Sequence, residues 1–227
     1  MSAPKAIISD FGGVLTSPLL ESFAAVQDQT GIPFDEVGRA MAAIAERNGG
    51  VNPLFQLEKG EMSEVDFLDL ISNELEAKLG HRPEMHRFSE VYFDALQPNE
   101  PMIELMHELR DSGLRMAMLT NNVREWEPRW RSMLPVDEIF ELVVDSAFVG
   151  MRKPEPEIYE LTLERLAGPS AGECLFIDDI AITCEAAEEL GIRTVHYRDP
   201  EQAIGEIREA VSGAGSDSLS EPTRSQM

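Results

Sequence analysis

The order of apolar and polar positions divides the chain into two regions of different character. From about residue 96 onward, short apolar runs typical of buried strands alternate with stretches whose apolar residues recur at helical spacing. The predicted strands there are Leu114–Leu119, Phe140–Val144, Cys174–Ile177 and Arg193–Tyr197. The predicted helices are 99–112, 154–167, 180–190 and 199–211. Residues 5–9 form an earlier apolar run that predicts a first strand. Strands that alternate with helices predict an α/β fold with a parallel sheet and helices on both faces.

Residues 17–95 interrupt this alternation. Apolar positions recur there at helical spacing and no strand pattern is found, while Ser63 and Asp66 are spaced like a capping box. The stretch is too long for a loop, so it predicts an all-helical cap inserted after the first strand. The last residues are rich in Ser, Gly and Asp and predict a disordered tail. The predicted parts are a discontinuous Rossmann-like α/β core domain of residues 1–16 and 96–211, a cap domain of residues 17–95, and a tail of residues 212–227.

Composition and charge exclude several classes of protein. The chain has 227 residues, of which 43% are hydrophobic, enough for a real core. The net charge of -23 disfavours nucleic acids and anionic membranes as partners. No apolar run approaches 18 residues, and residues 6–9 are too short for a signal peptide. Cys174 and Cys184 do not form a CxxC pair, and the four histidines lack metal-ligand spacing. We therefore expect a cytoplasmic protein with two reduced, buried thiols and no zinc site.

Polar side chains follow four of the predicted strands. They are Asp10, Thr120 with Asn121 and Asn122, Lys153, and Asp178 with Asp179. In open α/β sheets, ligands bind beyond the carboxyl ends of the strands, so we expect these side chains to meet. Three carboxylates suit a hard cation such as Mg²⁺, and a lysine with hydroxyl and amide donors suits an anionic substrate.

Each of these residues also has a purely structural interpretation. Asp10 would then be a strand-end cap, and Thr120 to Asn122 a turn held by side-chain hydrogen bonds. Lys153 would be an ordinary surface lysine. Asp178 and Asp179 would be acids favoured by the start of a helix.

The ordered set of motifs resembles the haloacid dehalogenase superfamily of aspartyl-phosphate-forming hydrolases. The resemblance covers roughly residues 5–211. Within the superfamily, the chain is similar to the subgroup that contains the epoxide-hydrolase N-terminal phosphatase and the sugar-1-phosphate phosphatases. Phe55–Ser63 looks like the cap loop of that subgroup.

The resemblance implies a role for each residue of the motifs. Asp10 would attack phosphorus and form an aspartyl-phosphate. Thr120, the Asn121 amide and the Gly12–Gly13 turn would contact the phosphoryl group, and Lys153 would neutralise charge on it and on Asp10. The implied Mg²⁺ ligands are Asp10, the Gly12 carbonyl, Asp178 and Asp179.

Gly12 departs from the pattern of the family. The phosphatases of this family usually carry a second Asp at this position as general acid and base. A backbone carbonyl remains for the metal, but the acid–base function is lost, which typically costs about 10²–10⁴ in rate. We therefore expect activity that is weak or biased to good leaving groups, unless Glu58, Glu61 or His81 in the cap supplies the proton.

The leading function predicted from the sequence is a Mg²⁺-dependent phosphatase acting on a small phosphorylated metabolite, a sugar phosphate being one candidate. Two alternatives stay open: a metal-independent dehalogenase-type hydrolase, and a catalytically silent protein that binds a phosphorylated ligand. The oligomeric state is not predicted. Residues 115–131 carry four arginines against two acids, so we expect them, with Lys153 and magnesium, to offset the acidic field at the entrance. Trp126 and Trp130, four apart, are predicted as packing residues of one helix face.

Overall fold

A five-stranded parallel sheet forms the centre of the protein, whose computed structural model describes residues 2–213. The strands are β1 (Ala6–Ser9), β2 (Arg115–Thr120), β3 (Leu142–Asp145), β4 (Cys174–Asp178) and β5 (Arg193–His196). They are arranged in the order β3-β2-β1-β4-β5. β2 and β3 extend the sheet on one side of β1, and β4 and β5 extend it on the other. Such a reversal next to a central strand creates a crevice at its carboxyl end.

Five helices lie between β1 and the next core helix. They are α1 (Leu19–Thr30), α2 (Phe34–Arg47), α3 (Pro53–Glu58), α4 (Glu64–Leu79) and α5 (Phe88–Ala95). Ser63 begins α4 as predicted, since its Oγ accepts a hydrogen bond from the Asp66 N–H at 3.1 Å. The helices that follow are α6 (Glu100–Asp111), α7 (Glu127–Met133), α8 (Val136–Ile139), α9 (Ser146–Val149), α10 (Pro156–Leu166), α11 (Ala181–Glu189) and α12 (Pro200–Ser212).

Different helices cover the two faces of the sheet. Ile7 of β1 belongs to an apolar cluster that also holds residues of α6 and α12. Its neighbours Ala6 and Ile8 belong to the cluster on the other face, with residues of α10 and α11. Successive side chains of a strand point to opposite faces, so a strand that is apolar throughout is buried on both. The predicted fold class is confirmed.

The segment by which the chain leaves the sheet after β1 lies beside the segment by which it returns to the sheet. Thr16 and Pro98 form an antiparallel bridge, and the Ser17 N–H donates to the Gln97 carbonyl at 2.7 Å. The stretch 17–95 between them contains helices and no strand. α2, α3 and α4 surround a third apolar cluster, while α1 and α5 also contribute to the cluster of α6. This arrangement is the one expected of a cap, and the domain boundaries stay a prediction.

Three details differ from the sequence prediction. The strand predicted from Phe140 begins at Leu142, because Phe140 directly follows α8 and is buried with the residues of α6. Trp126 lies in a short 3₁₀ turn and Trp130 in α7, so the two do not share one regular helix. Phe55, at the start of the predicted cap loop, lies inside α3.

Other expectations concern the whole chain. The predicted tail, 212–227, lies outside the described residues apart from Ser212 and Gly213. Between residues 2 and 213, no helix combines the length and apolar character needed to cross a bilayer. Cys174 and Cys184 are buried free thiols, as predicted.

Candidate active site

The predicted site residues meet at the carboxyl end of the central strand. Asp10 directly follows β1, Thr120 ends β2 and Asp178 ends β4. Because β2 and β4 both pair with β1 in parallel, these ends lie side by side at one edge of the sheet. The segment between α9 and α10 brings Lys153 to the same place.

Lys153 provides the positive charge of the site. Its ammonium lies 2.9 Å from Asp10 Oδ1 and donates a hydrogen bond to Asp178 Oδ2 at 2.5 Å. Lys153 is 2% exposed and Asp178 is fully buried. A buried ammonium is stable only with such partners, because loss of water favours the neutral amine. The interpretation of Lys153 as an ordinary surface lysine is therefore wrong.

Burial dominates the protonation of the acids. It raises the pKa of Asp10 to about 7, since the attraction of Lys153 only partly offsets the loss of water and Asp178 adds repulsion. Burial also raises the pKa of Asp179, with Asp178 as the second cause. For Lys153, burial acts to lower the pKa, but Asp10 and Asp178 outweigh it and the pKa is raised. Three carboxylates thus share the single positive charge of Lys153, so they repel one another when all are ionised.

The three carboxylates fit a hard cation. Asp10, Asp178 and Asp179 each offer an oxygen, and these oxygens lie within 4.8 Å of one another. Mg²⁺ prefers oxygen ligands, and a cation would relieve the repulsion that raises the pKa values of Asp10 and Asp179. Gly12 belongs to the loop that follows Asp10, and the role of its carbonyl as a metal ligand stays a prediction.

Gly13 makes room for Asp179. Its φ is 78°, which L-residues rarely adopt, and a Cβ there would overlap the Asp179 carboxylate. The Gly13 N–H donates to Thr16 Oγ1 at 3.0 Å and closes the turn. In this structure, therefore, the Gly13 amide is engaged within the loop rather than directed at a substrate.

The side chain of Asn121 holds Lys153 in place. Its Nδ2 donates to the Lys153 carbonyl at 2.9 Å, and its Oδ1 accepts from the Lys153 N–H at 2.8 Å. This pair of hydrogen bonds ties the end of β2 to the lysine segment. The side chain of Asn121 thus positions Lys153, and only its backbone amide is left for the predicted phosphoryl contact.

Sequence reasoning missed the residues that orient Asp178. The Thr183 hydroxyl and the Ile180 N–H both donate to Asp178 Oδ1, the latter at 2.9 Å. The Tyr159 hydroxyl in turn donates to the Thr183 carbonyl at 2.9 Å. A hydroxyl residue five positions after an acidic strand end, in the first turn of the next helix, is the sequence signal that would have found Thr183.

Leu19 occupies the space beside Gly12. A Cβ at Gly12 would lie 3.2 Å from both methyl carbons of Leu19, the first residue of α1. The φ of Gly12 is outside the left-handed region, so the backbone accepts other residues there. The place expected to hold an acid–base aspartate therefore faces an apolar side chain, which carries no proton to transfer.

A cavity of about 330 Å³ extends from the site toward the helices of residues 17–95. Gly12, Thr120 and Asn121 line it where it meets the site. Aromatic residues of α1, α5 and the turn before α7 line the adjoining part: Phe23, Phe88, Tyr92, Phe93 and Trp126. Trp126 lies 5.0 Å from Tyr92 between ring centroids.

The two tryptophans differ in their surroundings. Trp130 is fully buried and contacts Phe11, so it is a packing residue as predicted. Trp126 also lines the cavity.

Of the three cap residues considered as proton donors, Glu58 lines the cavity, whereas Glu61 and His81 are exposed. Glu58 forms an ion pair with Arg152 at 2.6 Å, and Arg152 stacks on Phe55 at 3.9 Å. Burial raises the pKa of Glu58, although Arg152 acts to lower it. The pair joins α3 to the residue that precedes Lys153.

Two of the four arginines of residues 115–131 form ion pairs with residues outside the site. Arg115 begins β2, at the opposite end from Thr120, and pairs with Glu141. Arg131 pairs with Glu127 and Asp137. No arginine lies among the cavity-lining side chains in residues 2–213. Of Lys153 and these arginines, which the sequence predicts to offset the acidic field together, the structure places Lys153 in the site.

The fold and the site define a class of protein, an α/β architecture with three carboxylates and a lysine at the carboxyl edge of a parallel sheet. A family model of haloacid dehalogenase-like hydrolases matches residues 4–191, so the chain belongs to that family. The resemblance seen in the sequence is thereby confirmed.

Individual relatives differ in how much of their length the chain covers. The mouse protein "Acyl-CoA dehydrogenase family member 10" is 32% identical over 92% of this chain, which spans 19% of that protein. "Phosphatase MT3486" of Mycobacterium tuberculosis (strain CDC 1551 / Oshkosh) is 33% identical, with 83% of this chain and 85% of the relative covered. The solved structure of the HAD family enzyme bt-2542 from Bacteroides thetaiotaomicron, in complex with magnesium and inorganic phosphate, matches with a TM-score of 0.60. It is 25% identical, with 86% of this chain and 94% of that chain covered.

Proposed function

We propose that the protein is a magnesium-dependent phosphatase that hydrolyses a small phosphorylated metabolite through an aspartyl-phosphate on Asp10. The main support is the ion pair between Asp10 and the buried Lys153 within a cluster of three carboxylates. The relative named as a phosphatase and the related structure with magnesium and inorganic phosphate support the proposal.

Asp10 supplies the nucleophile. Its Oδ1 accepts from the Phe11 N–H at 2.7 Å and pairs with Lys153, so Oδ2 is the oxygen assigned to the attack. A bond forms between Oδ2 and phosphorus while the bond from phosphorus to the leaving-group oxygen breaks. Water then hydrolyses the aspartyl-phosphate, which releases inorganic phosphate and restores Asp10.

The other residues bind and stabilise the phosphoryl group. The Thr120 hydroxyl and the Asn121 amide donate hydrogen bonds to its oxygens, and Lys153 neutralises charge on it and on Asp10. Asp10, the Gly12 carbonyl, Asp178 and Asp179 would hold magnesium, which would supply further charge neutralisation.

The leaving group must depart with little help. Gly12 offers no proton, and Leu19 fills the space beside it. We therefore expect acyl, aryl or anomeric phosphates to react faster than simple alkyl phosphates, by about 10²-fold or more. A sugar as the leaving group and a cytoplasmic location stay predictions.

Phosphate release from acetyl phosphate and p-nitrophenyl phosphate tests the proposal. We expect turnover with Mg²⁺ that stops with EDTA and in Asp10→Asn, while Asp28→Asn, an exposed position on α1, keeps it. Equal rates in Asp10→Asn and the unmodified protein would overturn the nucleophile assignment.

Two other outcomes identify the alternatives. Halide release from 2-chloropropionate in the presence of EDTA would identify a dehalogenase-type hydrolase. Thermal stabilisation by inorganic phosphate and Mg²⁺ without any turnover would identify a silent binding protein.

A further inference from the structure

The cavity beside the site differs from a sugar-binding pocket in its lining. Away from Gly12, Thr120 and Asn121, its wall is formed mainly by aliphatic and aromatic side chains. The part contributed by α2 and α4 includes Val37, Met41, Phe67 and Leu68. Apolar walls gain free energy from apolar ligands. Glu64 Oε1 and Trp126 Nε1 are the buried polar atoms of this wall without a hydrogen-bond partner in residues 2–213, so few groups remain for hydroxyls to bind.

Several polar groups of the wall are already engaged within the chain. The Thr30 hydroxyl donates to the Val26 carbonyl at 2.8 Å. Gln27 Oε1 accepts from the Phe34 N–H at 3.0 Å, and Glu58 is paired with Arg152. A sugar carries a hydroxyl on nearly every carbon, and each one buried without a partner weakens binding.

Geometry directs the leaving group into this cavity. Asp10 is 7% exposed and does not line the cavity, whereas Gly12, two residues later, and Thr120 do. In-line displacement places the leaving group on the side of phosphorus opposite to the attacking oxygen. A phosphoryl group held by Thr120 and Lys153 therefore projects its ester or anhydride substituent toward the apolar wall.

We propose that the substrate is a monophosphate whose leaving group is apolar and long enough to fill this cavity, such as an acyl or aryl group of about ten carbons. The size follows from the volume of about 330 Å³, if each carbon takes roughly the ~30 Å³ of a water molecule. This inference rests on the proposed phosphatase function and specifies its substrate class.

A series of acyl phosphates tests the proposal, because the chemistry of the leaving group is nearly constant while its length changes. We expect kcat/KM to rise by at least about fifty-fold from acetyl to octanoyl phosphate, since burial of each methylene corresponds to as much as about four-fold. Glucose 1-phosphate, an anomeric phosphate with a polar leaving group, is expected to react more slowly than octanoyl phosphate. A flat chain-length profile, or a preference for glucose 1-phosphate, would overturn the inference.

The same series separates this inference from the proposed function. Acetyl phosphate turnover that depends on Mg²⁺ and Asp10 supports the phosphatase whatever the chain-length profile. Absence of that turnover would contradict the proposed phosphatase function itself. Inhibition constants of methyl- and octylphosphonate give an independent measure, since we expect octylphosphonate to inhibit at least about ten-fold more tightly.

A pair of variants on α4 locates the effect in the cavity. Leu68 lines the cavity, whereas Val65 is 68% exposed on the same helix. Leu68→Trp is expected to lower the ratio of kcat/KM for octanoyl over acetyl phosphate by about ten-fold or more, because the indole takes the space of the acyl chain. Val65→Trp should leave that ratio unchanged. Equal ratios in the two variants would place the acyl chain elsewhere.

Discussion

At the scale of single residues, the site combines groups that neutralise charge with one position that has lost its acid. Asp10, Lys153 and Asp178 form a buried row of alternating charge, in which each ion is stabilised by the next. Gly12 and Leu19 leave the leaving-group side without a proton donor of their own. The site therefore has residues to attack phosphorus and to neutralise its charge, but Gly12 and Leu19 provide none to protonate the leaving group.

Restoring the acid tests this division of roles. Gly12→Asp is expected to raise phosphate release from ethyl phosphate relative to acetyl phosphate by about 10²-fold, but only once Leu19 makes room. The double variant Gly12→Asp with Leu19→Ala should therefore exceed the single one, with Leu19→Ala alone as control. No gain in the double variant would show that a missing acid does not limit turnover.

Gly13 is expected to matter more than its backbone conformation alone requires. Gly13 and Gly80 have φ values of 78° and 76°, but a Cβ at Gly80 meets nothing within 4 Å, whereas one at Gly13 overlaps Asp179. Gly80→Ala should cost about 1–2 kcal/mol of stability and leave Mg²⁺ affinity unchanged. Gly13→Ala should lose stability and also weaken Mg²⁺ binding measured by calorimetry. Equal Mg²⁺ affinities in both variants would contradict the placement of Asp179 as a ligand.

Asp145 makes stability depend on pH. Burial raises its pKa to about 6, while its Oδ1 accepts from the Ala147 N–H at 2.9 Å. Between pH 4 and 6, roughly, the folded chain keeps a proton that the unfolded chain has lost, so the free energy of unfolding falls as pH rises through this window. Asp145→Asn keeps the acceptor and should add up to about 3 kcal/mol above pH 6.

The measurement is urea unfolding at pH 4.5 and pH 7, compared among the unmodified protein, Asp145→Asn and the exposed control Asp28→Asn. The gain in Asp145→Asn should be larger at pH 7 than at pH 4.5. A gain of the same size at both values would mean that Asp145 does not titrate in this window.

At the scale of elements, α3 connects the inserted helices to the lysine segment. Two neighbouring ion pairs cross this contact: Glu58 with Arg152, whose side chains are 16% and 13% exposed, and Lys59 with Glu155, at 24% and 35%. Glu58 and Arg152 are also the pair that adjoins both the cavity and Lys153. The position of α3 is thus coupled to Lys153, which is proposed to bind the phosphoryl group.

Breaking each pair in turn measures this contact. Glu58→Gln leaves Arg152 without its partner in a largely buried place and should lower the free energy of unfolding by about 3 kcal/mol. Lys59→Gln, at the more exposed pair, should cost about 1 kcal/mol or less. Chemical unfolding of both variants checks this, and equal losses would contradict the difference in burial.

The sequence predicts the elements of the sheet better than the details of the site. The sequence locates all five strands. Apolar runs locate β1 to β4, because strands buried on both faces are mainly apolar. It misses the start of β3, since Phe140 is as apolar as a strand residue but belongs to the packing after α8. Asp10, Lys153 and Asp178 are found because they follow strands. Thr183 and Leu19 are missed, since their roles depend on how α11 and α1 lie against those strand ends.

At the scale of the whole molecule, an acidic protein encloses the site proposed to bind an anion. The net charge is -23, and the structure engages Arg115 and Arg131 in ion pairs away from the site. Attraction of the substrate therefore depends on Lys153 and on the cation that the carboxylates would hold. The apolar cavity adds binding free energy that does not depend on charge.

Detection of phosphate on Asp10 during turnover is the most direct test of the proposed function. Acid quenching of the protein with acetyl phosphate and Mg²⁺, followed by mass spectrometry of its peptides, should show a phosphoryl group on the peptide that carries Asp10. We expect this modification to disappear with EDTA and in Asp10→Asn. Steady phosphate release with no phosphorylated Asp10, or with the phosphoryl group on another residue, would contradict it.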